Sequence, residues 1–326
     1  MKNNWFSAVF MMVCFQSSVS ATQVDDVAPA IINGEWAKVT DYPYFASLYY
    51  DRKADNGQYG YLCGATILDE SHILTAAHCV AESYSRTFMS IAIGVQNENE
   101  YDRVEVVRPN KFFVHPKYDP DIDNFLLNDI AVIKLETPLE TYSDDNKVTL
   151  ASMELDRATY RTLDTDFMII GHGKNTPDGN TELELAQAPV HYSDNCHTGM
   201  GVPQSQICFE SEIINDRYRT MCNGDSGGPM LWEKDGKLVQ IGIASWMLID
   251  CGNVNYMNFG GVYTEVAQYT NWIESVLSGH EQATYEVDES VRAAIRAKES
   301  GSGGGGSLGF IGILALLVAS FTLRKK

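Results

Sequence analysis

The sequence predicts an all-β fold that one helix closes near its C-terminal end. Short apolar runs bounded by turn residues, which are typical of strands, recur along the chain. They lie at residues 44–50, 63–68, 88–95, 111–115, 129–135, 166–173, 228–246 and 260–266. Within the seventh run, the turn residues of "EKDGK" predict a hairpin. A single segment, residues 266–277, has apolar residues at helical spacing, and Gly279 follows it as a stop.

The first 20 residues have the pattern of an export signal. Lys2 supplies a positive charge, residues 5–15 form an apolar run, and small residues follow where signal peptidase would cut. The run is shorter than the roughly 20 apolar residues that span a bilayer. A buried N-terminal helix is the alternative. We predict a signal peptide over residues 1–20 and an exported, extracellular or surface protein.

The C-terminal end divides into three parts. Residues 279–306 are charged and polar and then rich in glycine, which predicts a stalk and a flexible linker. Residues 307–323 are uncharged and just long enough to span a bilayer, with a core helix as the alternative. Residues 324–326 are basic and favour the cytoplasmic side. This order resembles the GlyGly-CTERM sorting tail of exported Gram-negative proteins. The resemblance implies a membrane anchor that a rhomboid-like sortase removes.

The composition excludes some classes of partner. The chain has 326 residues, a net charge of −19 and a pI near 4.7. Such an acidic protein is unsuited to nucleic acids and to anionic membrane surfaces. Roughly 280 residues lie between the two ends, enough for one large β domain or two small ones.

The cysteines favour disulfide bonds. Six remain when Cys14, inside the predicted signal, is set aside. An even number in an exported protein predicts disulfides, although the sequence alone does not choose the pairs. Zinc is the alternative, but the chain has no Cys-x-x-Cys, and its histidines lack ligand spacing to the cysteines. We predict no metal and no cofactor.

Three motifs carry candidate chemistry: "TAAHC" at 75–79, "NDIAVIKL" at 128–135 and "CNGDSGGP" at 222–229. Each alone has an ordinary structural explanation. They are accompanied by "IINGEW" at 31–36, "SW" at 245–246 and "GGVY" at 260–263. As a set, they resemble the chymotrypsin–trypsin family of serine proteases over residues 31–278. The resemblance implies two six-stranded antiparallel β-barrels, a C-terminal helix and a monomeric endopeptidase that cuts proteins or peptides.

The resemblance also implies a role for each motif residue. Ser226 would attack the scissile carbonyl, His78 would take its proton, and Asp129 would orient the imidazole. Imidazole suits this task because it titrates near neutrality. The backbone N–H groups of Gly224 and Ser226 would form an oxyanion hole. Ser245 would support the buried aspartate.

The family pattern implies three disulfides, Cys63–Cys79, Cys196–Cys208 and Cys222–Cys251. A further bridge, common among relatives, would need cysteines near Phe167 and Trp232. We interpret these two aromatic residues as an apolar contact that replaces it.

The expected specificity pocket lacks an acidic floor. Its residues are Thr220, Met221, Ser245, Trp246, Met247 and Gly261. Trypsin relatives carry Asp where Thr220 stands, so no carboxylate is available there for Lys or Arg. Met247 should narrow the entrance, while Gly261 leaves the opposite wall open. The sequence predicts cleavage after small or medium apolar residues, although Asp250 at the rim could attract a basic side chain.

Activation is expected before Ile31, which makes residues 21–30 a propeptide. In the family, the new terminus pairs with the aspartate before the nucleophile, here Asp225. Ala30 precedes the bond where most trypsin-like precursors carry Arg or Lys. We predict that the enzyme itself, or an elastase-like neighbour, cuts there, with signal peptidase as the alternative.

Other departures from the family pattern favour structural roles. His172 replaces the tryptophan of a glycine–tryptophan–glycine motif and is interpreted as an ordinary surface or loop histidine. Val95 stands where a calcium-binding loop would have a carboxylate, and the acidic run 119–123 lacks the glycine of a calcium loop.

Two other functions fit part of the sequence. An inactive, protease-like binding protein would normally have lost one of the three motif residues, and a membrane-tethered adhesion module leaves those residues unexplained. The remaining predicted partner is the export machinery.

Overall fold

A computed structural model describes residues 31–162, 166–174, 184–247, 250–255 and 261–301. The strands are β1 (Glu35–Trp36), β2 (Phe45–Arg52), β3 (Gln58–Asp69), β4 (His72–Thr75), β5 (Met89–Ile93), β6 (Glu105–Val107), β7 (Pro109–Val114), β8 (Ala131–Leu135), β9 (Thr149–Leu150), β10 (Asp166–Gly171), β11 (Ala186–Ser193), β12 (Gln206–Glu210), β13 (Ile213–Ile214), β14 (Arg217–Tyr218), β15 (Pro229–Lys234), β16 (Lys237–Trp246), β17 (Val262–Glu265) and β18 (Tyr285–Glu286). The mostly β character predicted from the sequence is confirmed.

Helices are short and lie mainly at the connections. They are α1 (Lys53–Asn56), α2 (His78–Ala81), α3 (Ser83–Thr87), α4 (Arg157–Tyr160), α5 (Asn195–Met200), α6 (Thr270–Leu277) and α7 (Glu289–Gly301). The predicted C-terminal helix is confirmed as α6, which a 3-10 turn at Val266–Gln268 precedes. It ends before Gly279, whose φ of 76° is a conformation that favours glycine.

The first sheet is an open path of eight strands in the order β18-β7-β8-β4-β3-β2-β5-β6. All its pairings are antiparallel, and β2 pairs with β3 over its whole length, from Phe45↔Thr66 to Arg52↔Gln58. Leu48, Ile67, Ile73 and Ile133 fill the core that this sheet encloses. This sheet differs from the six-stranded barrel that the resemblance implies: it is an open path of eight strands, and β18 is added at its edge beside β7.

The second sheet contains a closed ring of six strands. β10, β15, β16, β17 and β12 pair in succession, and β11 pairs with both β12 and β10. Short strands β1 and β9 pair with the outside of this ring. The predicted hairpin is present between β15 and β16, where Asp235 and Gly236 both have positive φ.

The two aromatic residues at the missing disulfide lie in the core of the second sheet. Phe167 on β10 is 1% exposed and Trp232 on β15 is 5% exposed. Their strands are neighbours, but each ring has another aromatic partner: Phe167 contacts Phe209, and Trp232 contacts Tyr160. Both rings belong to one apolar cluster, whereas the predicted direct contact between Phe167 and Trp232 stays a prediction.

The stretch predicted as a stalk is folded against the first sheet over its described part. Thr284 N donates to Phe112 O at 2.8 Å, and Val287 N donates to Asn110 O at 2.9 Å. Val287 is buried, and Arg292 on α7 is 2% exposed. The prediction of a stalk is therefore wrong for residues 284–301. Its polar composition concealed the few side chains that become buried.

The predicted signal peptide, the propeptide and the segment from residue 302 onward lie outside the described residues. Among the helices that the structure describes, none is long and apolar enough to cross a membrane.

Candidate active site

His78 lies where a buried strand meets a short helix. Strand β4 ends at Thr75, and Ala76 and Ala77 are fully buried before α2 begins at His78. Small residues are needed here because the turn lies inside the core. The backbone N of His78 donates to Asp129 Oδ1 at 2.8 Å, and its Nδ1 lies 2.7 Å from Asp129 Oδ2.

Asp129 is completely buried and accepts hydrogen bonds from α2 and from the second sheet. Besides the two contacts from His78, Ser245 Oγ on β16 donates to Oδ2 at 2.6 Å. A buried carboxylate is costly unless it is paired and hydrogen-bonded. Three donors meet that requirement and hold the carboxylate in one orientation.

The same contacts set the protonation behaviour of His78, whose side chain is 27% exposed. Burial lowers the pKa of His78, but the negative charge of Asp129 and the hydrogen bond to it outweigh that effect and raise the pKa above its usual value. His78 is therefore a stronger base than an isolated imidazole.

The loop that carries Ser226 is pressed against the loop that carries His78. Gly64 N donates to Ser226 O at 2.8 Å, and Gly227 N donates to Ala244 O at 2.8 Å. A side chain at Gly227 would place its Cβ 2.2 Å from Thr75 Oγ1 and 3.2 Å from the Cys79 sulfur. Only glycine allows this approach, which brings the two loops together.

The Ser226 hydroxyl forms no hydrogen bond with His78 within the described residues. His78 Nε2 instead lies 3.7 Å from the Cys79 sulfur. Hydrogen bonds between a nucleophile and its base are often loose before substrate binds. In this structure His78 and Asp129 are hydrogen-bonded, and Ser226 lies in the neighbouring loop without a hydrogen bond to His78.

The backbone around Ser226 presents donors. Gly224 has a φ of 106°, a conformation open to glycine. Among the hydrogen bonds of the described residues, the N–H groups of Gly224 and Ser226 donate to no protein acceptor. These two groups are the ones that the sequence predicts for an oxyanion hole.

The side chain of Asp225, between Gly224 and Ser226, points into the protein. It is 2% exposed and accepts from Gly173 N and Cys222 N, both at 2.8 Å. Burial raises the pKa of Asp225 to about 7, although these two backbone donors oppose the rise. Ile31 is fully buried with a φ of 71°, a strained conformation for a β-branched residue. Ala30 lies outside the described residues.

Three disulfides brace the site: Cys63–Cys79, Cys196–Cys208 and Cys222–Cys251. These are the pairs that the family resemblance implies. The first ties β3 to the residue after His78, and the third ties the Ser226 loop to Cys251. His78 and His197 each lie beside one of the bonded pairs. Those cysteine sulfurs are already bonded to each other.

The predicted specificity pocket is more closed than expected at one wall. Thr220 is fully buried and Met221 is 3% exposed. A Cβ at Gly261, which has a φ of 124°, would lie 2.7 Å from Met221 Cε and 3.4 Å from its sulfur. Met221 thus fills the space beside Gly261 that the sequence predicts to be open. Met247, half-buried, packs near it.

Asp250 already has partners. Arg217 Nη1 lies 2.9 Å from Asp250 Oδ1, and Asn253 donates to the other oxygen. These hydrogen bonds, first from Asn253 and then from Arg217, lower the pKa of Asp250. Arg217 belongs to the small β13–β14 hairpin, and none of the sequence motifs includes it.

Two further residues support the site. Trp246 is largely buried, and its ring lies 5.9 Å from that of Phe125. Thr264 Oγ1 on β17 donates to the backbone O of Asp129 at 2.9 Å. Thr264 was missed because a threonine within a strand carries no sequence signal for such a contact.

The residues predicted to be structural have structural surroundings. His172 is buried against Phe45 and Tyr61. In the acidic run, Asp119 and Asp121 accept hydrogen bonds from backbone N–H groups two residues ahead of them.

Comparison with known proteins places this arrangement in a family. The family described as Trypsin matches residues 31–273. Tissue-type plasminogen activator is 27% identical over 259 residues in Sus scrofa, covering 74% of this chain and 44% of that protein. The Homo sapiens protein is 28% identical over 258 residues, with the same coverage. Vitamin K-dependent protein C of Oryctolagus cuniculus is 29% identical over 273 residues, covering 80% of this chain and 55% of that protein. The chain thus spans about half the length of these relatives.

The contact between His78 and Asp129 can be tested by titration. In Ser226→Ala, we expect the His78 imidazole to titrate above the ordinary pKa of about 6.5. In Ser226→Ala/Asp129→Asn the pKa should fall below that of Ser226→Ala, because burial remains and the charge is lost. NMR of the imidazole against pH measures both values. Asp123→Asn, at an exposed carboxylate, is the control and should leave the titration unchanged. Equal pKa values with and without Asp129 would contradict this interpretation.

Proposed function

This chain belongs to the trypsin family, and from that premise we propose that it is an exported serine endopeptidase that uses His78, Asp129 and Ser226. The observation that carries the proposal is the buried Asp129 carboxylate bonded to His78 beside the Ser226 loop. An adhesion or binding module has no need of this costly arrangement.

The reaction follows from the contacts. Ser226 Oγ attacks the scissile carbonyl while His78 Nε2 takes its proton, and Asp129 holds Nδ1–H and stabilises the imidazolium. The oxyanion receives hydrogen bonds from Gly224 N and Ser226 N. Such donors contribute about 3–4 kcal/mol each in other enzymes. His78 then gives its proton to the leaving amine, and water hydrolyses the acyl-enzyme by the same steps in reverse.

The pH dependence has a definite sign. Only neutral His78 can accept the proton, so activity is lost as the pH falls through its pKa. Because that pKa is raised, the acid limb of the profile lies at higher pH than an ordinary histidine would give.

Substitution of the nucleophile tests the function. Ser226→Ala should abolish labelling by an organophosphonate and reduce kcat by about 10⁴- to 10⁶-fold, while circular dichroism and thermal unfolding stay the same. Ser143→Ala, at an exposed serine outside the site, is the matched control and should keep full activity. Parent protein that is folded yet neither labelled nor active would favour the inactive binding protein.

The pocket favours small or medium apolar side chains before the cut bond. Met221 fills the space beside Gly261, Met247 lies near it, and Thr220 supplies no negative charge. Asp250 does not replace that charge, since Arg217 already pairs with it. A basic side chain would lose water there without gaining a partner.

Enlarging the pocket should therefore change specificity. We expect Met221→Ala to raise the ratio of kcat/KM for Phe over Ala substrates by about 10- to 200-fold, the range that small changes in pocket volume produce. Peptide p-nitroanilides that differ only before the cut bond measure this ratio. Met153→Ala, at an exposed methionine, is the control. A parent enzyme that prefers Arg or Lys would overturn this account of the pocket.

Cleavage between Ala30 and Ile31 activates the protein. Asp225 lacks a cationic partner among its described contacts, and its raised pKa reflects the cost of that burial. A free ammonium group on Ile31 would pair with it and hold the Gly224–Ser226 loop in place. Cutting also removes the preceding carbonyl, which crowds a residue with positive φ.

The same pocket explains the residue before the activation bond. Ala30 suits a small apolar pocket, so the enzyme cuts its own precursor. Ser226→Ala, expressed alone in a host without related proteases, should begin at Ala21 or Thr22 by N-terminal sequencing, whereas the parent should begin at Ile31. The mutant and parent should both begin at Ile31 if signal peptidase or another host enzyme makes the cut.

The location follows from segments outside the described residues. Residues 1–20 direct export, and residues 307–323 anchor the enzyme in a membrane until a rhomboid-like sortase removes them. The mature enzyme is a monomer at the cell surface or outside the cell.

A further inference from the structure

A buried arginine lies beyond the family match. Arg292 on α7 is 2% exposed, although the matched region ends at residue 273. Its Nε donates to Thr87 O at 3.0 Å, Nη2 donates to Pro109 O at 2.9 Å, and Nη1 lies 2.7 Å from Glu136. A guanidinium buried in this way is costly unless all its contacts are made together. Helix α7 therefore has one docked position.

A second contact links this segment to the helix that begins at His78. The Arg86 guanidinium carbon lies 3.6 Å from the centre of the Tyr285 ring. Arg86 Nη1 also donates to Val80 O at 2.7 Å and Ala81 O at 2.9 Å, the last two carbonyls of α2. Arg86 thus caps the C-terminal end of α2 while Tyr285 covers its charge.

A third contact lies farther along α7. Glu299 is 2.7 Å from Arg52 Nη1 and accepts from the Tyr84 hydroxyl at 3.0 Å. Tyr84, Arg86 and Thr87 all belong to α3, which follows α2 after one residue. Three separate positions of the C-terminal segment therefore converge on one five-residue helix.

We propose that residues 284–301 form a C-terminal clamp that positions His78 through α3 and Arg86. Helix α2 has only four residues and cannot maintain its own geometry. The Cys63–Cys79 disulfide and Asp129 hold its first turn, and the clamp holds its last carbonyls. Tyr285, Arg292 and Arg86 are positioning residues, since none of them touches the reacting atoms. The inference rests on the proposed role of His78 as the base.

The clamp predicts a catalytic defect from a substitution that leaves the core intact. Tyr285 is 36% exposed, so Tyr285→Ala removes the ring from Arg86 without opening a cavity. In the full chain we expect kcat to fall by about tenfold or more, because small displacements of a catalytic group can cost up to about a hundredfold. KM should stay the same. The acid limb of the kcat profile should move to lower pH, because a looser contact with Asp129 raises the pKa of His78 less.

Three comparisons make the test specific. Tyr285→Phe keeps the ring and should restore the parent kcat and pH profile. Glu286→Gln, next in the same strand, removes an exposed carboxylate that pairs with half-exposed Lys111, and this variant should behave as the parent. Arg292→Lys keeps the positive charge but loses the planar guanidinium group that makes several contacts at once. This variant should lower kcat as Tyr285→Ala does. If Arg292→Lys does not fold, the comparison of Tyr285→Ala with Tyr285→Phe tests the proposal by itself.

The rates should be compared on active-site-titrated enzyme well below the unfolding temperature, so that unfolded protein does not contribute. A Tyr285→Ala enzyme with a lower Tm but unchanged kcat and acid limb would overturn the clamp as a positioning device. Parent protein that an organophosphonate does not label would instead remove the proposed function. The two failures are therefore distinguishable.

Discussion

The buried carboxylate of Asp129 is the constraint on which the site depends. It is removed from water, and it accepts hydrogen bonds from His78, at the start of α2 beside the first sheet, and from Ser245 on β16 of the second sheet. Thr264, also from the second sheet, holds the backbone of the same residue. The cost of leaving this charge unpaired ties the two sheets together at one point. The imidazole is oriented because the fold must satisfy the aspartate.

Asp225 presents the opposite case, only four residues before β15. It has two backbone donors and no cation among its described contacts, and burial raises its pKa to about 7. The glycines on either side of His172 leave room for it, since a Cβ at either one would overlap its carboxylate. One carboxylate is thus fully satisfied by the folded chain, while the other has no cation among its described contacts. In the proposed activation, the ammonium group of a cleaved Ile31 supplies that cation, so the order of the Ser226 loop depends on cleavage and the His78–Asp129 contact does not.

The C-terminal segment adds a third type of support. Charged side chains such as Arg292 and Arg86 replace the apolar contacts that normally attach a helix to a sheet. Attachment through arginines suits an acidic protein, because positive charges placed among carboxylates and carbonyls offset the repulsion between negative charges. It also means that the attachment depends on a few directional contacts rather than on a broad apolar face.

Much of this protein was determined by local sequence. The strands follow from alternating and continuous apolar runs, the β15–β16 hairpin from Asp235-Gly236, and the end of α6 from Gly279. The residue types at 78, 129 and 226, and the glycines around the serine, limit the chemistry that the chain can perform.

The sequence could not supply the set of contacts between distant positions. Met221 against Gly261, Arg217 against Asp250, and the added strand β18 each depend on which surfaces the fold brings together. Residues 289–299 are rich in strong helix formers, so α7 had a local signal, but its docking did not. The sequence of a polar helix does not show whether solvent or another part of the protein surrounds it. Only the tertiary structure supplies the carbonyls and the carboxylate that allow Arg292 to be buried.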